Sequence, residues 1–325
     1  MDDAKAASRE ITYHRFLNTI DAPGLNVLAS ITVDYAGKRW LAQSIIPGLL
    51  KKQEREAKGE EVKTDTNKVV YGIDEVNGKG TKEIKYDKTF AELLEPVSRA
   101  LRFANKKVKV DGEEVEFSTN LKGLIGGDGR RYIIEPSRMA CADLAWKDGK
   151  LSVDSLDENV VKKDAPAYPY PAVLRHEAIE AYSEYELRKR SRDAVERARN
   201  EGIEKGVFPK PTEKQETNSE EESKEDVVPP PSSADIEKAI NEGKISVPQI
   251  GTLTFNPDID TDENDESIKA IKNASAYITE TLIPLLVLDV VHGNNIPADG
   301  SALTSAMHQK GVNMRFVGSR SFYNS

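Results

Sequence analysis

Residues able to do chemistry are spread along this 325-residue chain, and their spacing decides what they can do. His176-Glu177 opens the run HEAIE, which begins like the zinc-binding HExxH helix, but Glu180 stands where the second imidazole is required. One imidazole on that face cannot hold a catalytic zinc, so His176 is expected on a helix surface. His14, His292 and His308 show no ligand spacing. Asp258, Asp260 and Asp262 imitate the first half of a calcium loop, yet Glu263 replaces the turn glycine and Lys269 the bidentate glutamate. An acidic, solvated loop follows. Gly126-Gly127-Asp128-Gly129 suits a turn needing positive φ better than a phosphate cradle, and neither a P-loop nor a dinucleotide fingerprint occurs. Cys141, the single cysteine, excludes an intramolecular disulfide and a multi-cysteine zinc site, and reads as a small buried hydrophobe. No constellation demands catalysis, a cofactor or a metal.

Two basic clusters remain. Arg99, Arg102, Lys106, Lys107 and Lys109 have no acid between them. Arg188, Lys189, Arg190, Arg192, Arg197 and Arg199 crowd one predicted helix against only Asp193 and Glu196. Such clusters attract phosphate backbones by releasing counterions, although each alone also suits a solvated face. The first five residues, with Arg188, Lys189, Arg190 and Arg192, are the candidate RNA contacts. No aromatic-interleaved ribonucleoprotein motif and no GXXG loop flanks them, so no named RNA module is indicated.

The elements that must position these residues are an α+β set. Gly24 to Ile46 holds two β-rich runs around Ala36-Gly37-Lys38, a hairpin signal. Val33, Tyr35, Trp40 and Ala42 alternate with polar positions, which predicts one buried face. Phe90, Leu93, Leu94, Val97 and Leu101 follow helical spacing that Pro96 should break or kink. Lys106 to Phe117 is a second hairpin turning at Asp111-Gly112, and Leu121 to Glu135 is two more strands joined by the four-residue glycine-rich turn. Helices are predicted from about Ala172 to Asn200 and from about Glu266 through Glu280. A helix capped by Ser301, a left-handed Gly311 and a short strand at Val312, Met314 and Phe316 close the unit.

Charge is uneven. The formal net charge is −9, but Pro211 to Asp235 and Asp258 to Glu266 each carry −6, leaving the remainder at +3. The body is mildly basic despite an acidic whole, so global charge does not exclude nucleic acid. Pro209 to Ser233 lacks aromatics and is rich in Glu, Ser and Pro, too poor in apolar surface to offset its ordering entropy. The expected organisation is a body over 1–208 and 247–325 interrupted by a disordered acidic insertion at 209–246. The longest apolar run, Leu282 to Val291, contains Pro284 and Asp289 and falls short of the roughly 20 residues a bilayer needs. The first ten residues carry acids and no apolar run, so no leader is expected. Neither membrane insertion nor secretion is expected, and the chain reads as cytoplasmic.

Four runs together resemble a known family. Ala22 to Leu50 (APGLNVLASITVDYAGKRWLAQSIIPGLL), Leu121 to Asp143 (LKGLIGGDGRRYIIEPSRMACAD), Leu253 to Ile259 (LTFNPDI) and Ile296 to Gly318 (IPADGSALTSAMHQKGVNMRFVG) are similar, in order, to the Clu domain of the clustered-mitochondria family. The resemblance implies a cytosolic, non-enzymatic protein that keeps mitochondria distributed. It also implies partners: mRNA for nuclear-encoded mitochondrial proteins and, in the fungal branch, the eukaryotic translation initiation factor three complex or ribosome-associated proteins. Family proteins are longer, with an N-terminal ubiquitin-like region and C-terminal helical repeats, so the chain resembles their central domain. No catalytic residue, cofactor or metal is implied. The other readings are a protein–protein scaffold without RNA contact, and a degenerate kinase-like enzyme suggested only by strands preceding helices.

Overall fold

A helix absent from the sequence reading begins the chain. α1 (Asp2–Ile20) buries Ala7, Tyr13, His14 and Leu17. The structure, a computed structural model, describes residues 2–48, 69–76, 81–117, 121–144, 172–210, 231–246, 251–255, 265–294 and 296–316. These fall into two compact units, Met1–Glu180 with Thr254–Ser325, and Ala181–Leu253. After α1 come β1 (Leu25–Val27), β2 (Ser30–Tyr35) and β3 (Lys38–Gln43), the last two forming the expected antiparallel hairpin with Tyr35 opposite Lys38. The predicted buried face is not buried. α1 lies against the other side, where only Ser30 and Leu41 are half-buried, and Val33, Tyr35, Trp40 and Ala42 stand in solvent. Polar bonding accounts for that choice. The buried His14 Nε2 lies 3.3 Å from Ser30 Oγ and 3.1 Å from Gln43 Nε2, and Arg39 Nη1 donates to Ser8 Oγ at 3.2 Å.

β4 (Val69–Val76), β5 (Thr81–Lys85), α2 (Lys88–Ala100), β6 (Lys106–Val110), β7 (Glu113–Phe117), β8 (Lys122–Ile125) and β9 (Arg131–Ile134) complete the strand-rich half. Five strands form one sheet in the order β1-β9-β8-β4-β5, in which β1 pairs parallel to β9 and the other neighbours are antiparallel. α2 passes straight through Pro96 and is capped by Asp87, whose Oδ1 accepts from Phe90 N at 2.7 Å. Pro96 is exposed, while Phe90, Leu94 and Val97 are buried; this one-sided burial outweighs the lost backbone bond. Their core partners include Tyr71, Phe117, Leu121, Ile133 and Met139, with the Tyr71 ring stacked on Phe90 at 5.4 Å and on Phe117 at 5.0 Å. Gly72 makes this possible. Its φ is +110°, the β4–β8 register shifts beside it, and a Cβ there would lie 2.1 Å from the Leu121 carbonyl oxygen. In the glycine-rich turn only Gly129 takes positive φ, at +75°.

The helical half differs from the sequence reading in its details. α3 (His176–Glu204) starts four residues later and ends four later than predicted. α4 (Ser233–Asn241) lies inside the stretch 209–246 expected to be solvated chain, so that expectation is corrected for its described end, while 211–230 lies outside the described residues. Ser232 and Asp235 form a capping box on α4, and Ile236, Ala239 and Ile245 pack with Ala198 and Phe208 as the core of the smaller unit. α5 (Glu266–Tyr277) continues through a π turn (Ile278–Leu282) into α6 (Ile283–Val291). Pro284 has no N–H to return to the Glu280 carbonyl, which favours the wider turn there. By length and composition the continuous helix Glu266–Val291 could cross a membrane, unlike the shorter run weighed from sequence. Ile268, Ile271, Ala274, Ile278, Ile283 and Leu286 are buried in the larger unit, whereas Leu285, Leu288 and Val291 are exposed.

α7 (Gly300–Gln309) is capped by Asp299, not Ser301: Oδ1 accepts from Ala302 N at 2.7 Å. Gly311 takes φ +79° as expected, but Met314–Phe316 is a turn of 3₁₀ helix instead of a strand. An ionic contact fixes that turn. Arg315 donates to the buried carboxylate of Asp143 and, at 3.2 Å, to the Val173 carbonyl, which also accepts from Asn313 Nδ2 at 3.0 Å. Ser275 Oγ donates to the same Asp143 at 2.6 Å. A strand would point Asn313 and Arg315 together but could not wrap them around one carbonyl.

Candidate nucleic-acid interface

The first basic cluster is neutralised by its own fold. Lys107 stands opposite Glu116 and Lys109 opposite Glu114 across the β6–β7 hairpin, and Lys107 Nζ lies 3.1 Å from a Glu114 carboxylate oxygen. Two of the three β6 lysines thus stand opposite glutamates, Lys106 stands opposite Phe117, and with Glu113 the two strands carry equal numbers of lysines and glutamates, so the hairpin presents no net positive field. Arg99 pairs with Glu95 one turn back at 2.5 Å. Arg102 takes φ +55° just past α2, and its carbonyl accepts from Phe255 N at 2.7 Å, a structural position. Lys106 is half-buried. The acids on β7 were legible in the sequence, but only strand pairing sets them against the lysines.

The second cluster is presented outward. Arg188, Lys189, Arg192 and Arg197 are exposed on α3, while Arg190 and Arg199 are half-buried. Arg188 pairs with Glu184 at 2.6 Å and Arg190 with Glu186 at 2.9 Å. Exposed pairs one turn apart contribute only about 0.3–0.5 kcal/mol, so Arg188 can exchange its partner for a phosphate at little cost. Tyr185, Arg188, Arg192, Val195 and Arg199 recur at alternating steps of three and four and therefore share one stripe, with Lys189 beside it. Tyr185 is 43% and Val195 41% exposed. The opposite face is held by Ala194, Ala198 and Gly202, where a Cβ at Gly202 would lie 2.3 Å from the Phe208 ring. Sequence reading found the charges but missed Tyr185 and Val195 between them.

The remaining sequence candidates settle into structural roles. His176 is not a surface side chain: it is 11% exposed, its ring meets Phe16 edge-on at 4.8 Å, and Nε2 lies 3.2 Å from Glu180. Cys141 is buried as expected, and burial pushes its thiol up to about 12. The aspartates at 258, 260 and 262 lie outside the described residues. Glu10, in α1, was not singled out. Burial pushes its carboxyl up, but hydrogen bonds from His14 and from the side chain and backbone of Ser137 outweigh this and hold it below the usual carboxylate range.

An α+β body with an outward basic stripe matches known proteins along its length. Residues 2–146 match the family model described as Clustered mitochondria, and residues 294–320 match that of Translation initiation factor eIF3 subunit 135. Clustered mitochondria protein homologs from Malassezia globosa, Sclerotinia sclerotiorum and Phaeosphaeria nodorum are 30%, 29% and 28% identical to the chain, each over 96% of it. The chain spans only 22–25% of the length of these relatives. No solved structure matches it. The resemblance to the Clu domain of the clustered-mitochondria family is thereby borne out.

Proposed function

We propose that the chain is a non-enzymatic, cytoplasmic domain of a clustered-mitochondria-type protein, serving the distribution of mitochondria through association with mRNA and the translation initiation machinery. The observation that carries this is the similarity, over 96% of the chain, to proteins named clustered mitochondria protein homologs. The match of residues 294–320 to an initiation-factor subunit supports the link to translation. For RNA, the support is the α3 stripe, where Arg188, Lys189 and Arg192 face solvent beside Tyr185. Guanidinium and ammonium groups there can neutralise successive phosphates, and an exposed tyrosine ring offers a face for stacking. The β6–β7 lysines drop out of this reading, because their own hairpin answers them.

Fluorescence anisotropy of the chain with two labelled single-stranded RNAs of unrelated sequence tests the RNA arm. Three phosphate contacts predict a log–log salt slope of about −2, so affinity falls roughly 20-fold between about 50 and 200 mM salt, alike for both RNAs. Absence of binding at the lower salt would overturn it.

A further inference from the structure

Ser191 follows Arg188, Lys189 and Arg190 on α3, so an arginine stands three residues and a lysine two residues before an exposed hydroxyl. Kinases that read their substrates by charge select serines with that spacing of bases. Among the described residues the Ser191 Oγ has one partner, the Leu187 carbonyl of its own helix at 2.8 Å, a bond that loosens a helix slightly. A kinase takes its substrate as an extended strand, so a helical serine is reached only where the helix can unwind. From residue 184 to residue 193 no side chain of α3 is buried, whereas Tyr182 and Ser183 before this stretch and Ala194 after it are. The core of the smaller unit begins later in the chain, with Ala198, Phe208, Ile236, Ala239 and Ile245. What supports the stretch is local: Arg188 pairs with Glu184 at 2.6 Å and Arg190 with Glu186 at 2.9 Å, both weak interactions. A helical stretch that buries no apolar face is marginal by itself, so this one opens at the low end of the free-energy range of the fold.

We propose that Ser191 is a phosphorylation site, and that its phosphate switches off the polyanion-binding stripe of α3; the switch rests on the reading of α3 as the RNA-facing element. A serine kinase transfers the γ-phosphoryl group of ATP. The Oγ–H bond breaks and its proton passes to the catalytic carboxylate of the kinase, an Oγ–P bond forms, and the P–O bond to ADP breaks. Residues 184–193 carry four bases, Arg188, Lys189, Arg190 and Arg192, against Glu184, Glu186 and Asp193, a net of +1. A phosphoserine adds about −1.5 to −2, which turns the stretch to about −1. Position directs the effect. Of the residues one turn from Ser191, namely Leu187, Arg188, Ala194 and Val195, only Arg188 is charged. The phosphate therefore draws Arg188 from the incoming strand, its exposed pair with Glu184 being weak enough to yield. Arg192, the next residue, comes under the same negative field. Two of the three cationic contacts offered by Arg188, Lys189 and Arg192 are lost. At about 0.7 per contact the log–log salt slope flattens from about −2 to about −0.7. Counted down from about 1 M salt, affinity at about 100 mM falls roughly 25-fold.

Incubating the whole chain with ATP and the catalytic subunit of cAMP-dependent protein kinase tests the site, with mass spectrometry placing the phosphate and Ser191→Ala as the control. A phosphate on Ser191, absent from Ser191→Ala, is expected, and its absence from Ser191 would overturn the site. Anisotropy with the two labelled RNAs then compares the phosphorylated and unmodified chains, and treatment with a phosphatase should restore the original affinity. Affinity and slope that ignore the phosphate would overturn the switch. So would a loss of helix content on phosphorylation, seen by circular dichroism, because unfolding and not charge would then be the cause. Absence of RNA binding by the unmodified chain would overturn the reading of α3, and the switch with it, while the placement of the phosphate stands or falls by mass spectrometry alone.

Discussion

Gly311→Ala should be among the most damaging single-methyl additions in the larger unit. Two separate costs meet there. The backbone sits at φ +79°, where an L-residue costs about 1–2 kcal/mol. The new Cβ would also lie 2.5 Å from the amide nitrogen and 2.6 Å from the Cα of Ala178, both in the first turn of α3. Backbone cannot swing aside as a side chain can, so α3 or the closing turn must shift, a further 1–3 kcal/mol or so. The expected loss is about 2–5 kcal/mol. Gly112→Ala separates the two costs, because Gly112 has φ +89° at the β6–β7 turn with nothing within 4 Å of its would-be Cβ. It should lose only the 1–2 kcal/mol of strain. Urea unfolding followed by circular dichroism, with unchanged m-values, gives both numbers. Equal losses from the two substitutions would refute the close approach to Ala178, and with it the account of how the last described turn is seated.

Further expectations follow from buried groups. Arg315→Met leaves the Asp143 carboxylate buried without its cation and should cost about 3–5 kcal/mol by the same unfolding assay. Cys141, buried with its thiol pushed up to about 12, should resist alkylation at pH 8 in the native chain and react at once in denaturant. Glu10 titrates low in the folded chain, so its contribution is present above the ordinary glutamate range and is lost as pH falls through its depressed folded value. Glu10→Gln should therefore lower stability at neutral pH and leave a shallower loss below about pH 4. An acid limb unchanged by the substitution would contradict this.

The fold was legible where a single face had a single use. Both hairpins and the two strands around the glycine-rich turn were read correctly because their turns demand particular residues, as at Asp111-Gly112. α2 was read from its apolar spacing, and only Pro96 misled, since an exposed proline late in a helix leaves one carbonyl to solvent. α1 was missed because its buried face includes His14 and is flanked by the β-branched Ile11-Thr12 pair, which blurs the helical period. The side of the hairpin that meets α1 was misread for a related reason: alternation identifies two faces without saying which one a neighbour takes. In the candidate interface the charges were visible, but not which of them meet glutamates. Sequence adjacency grouped Lys106, Lys107 and Lys109 with Arg99, whereas strand pairing gave them to β7. On α3 the same spacing argument that finds a core stripe also finds the solvent stripe through Tyr185 and Val195; it was applied only to charge.

Replacing Arg188, Lys189 and Arg192 together by glutamine tests the central functional claim most directly, with the salt dependence of RNA affinity as the readout. Arg190 is left in place because it is half-buried against Glu186. Each single-strand phosphate contact contributes roughly 0.7 to the log–log slope, so removing three should flatten it by about 2 and weaken unrelated RNAs alike. Binding and slope that are unchanged by the triple substitution would contradict the assignment of α3 as the RNA-facing element, and loss confined to one RNA sequence would contradict its reading of phosphates.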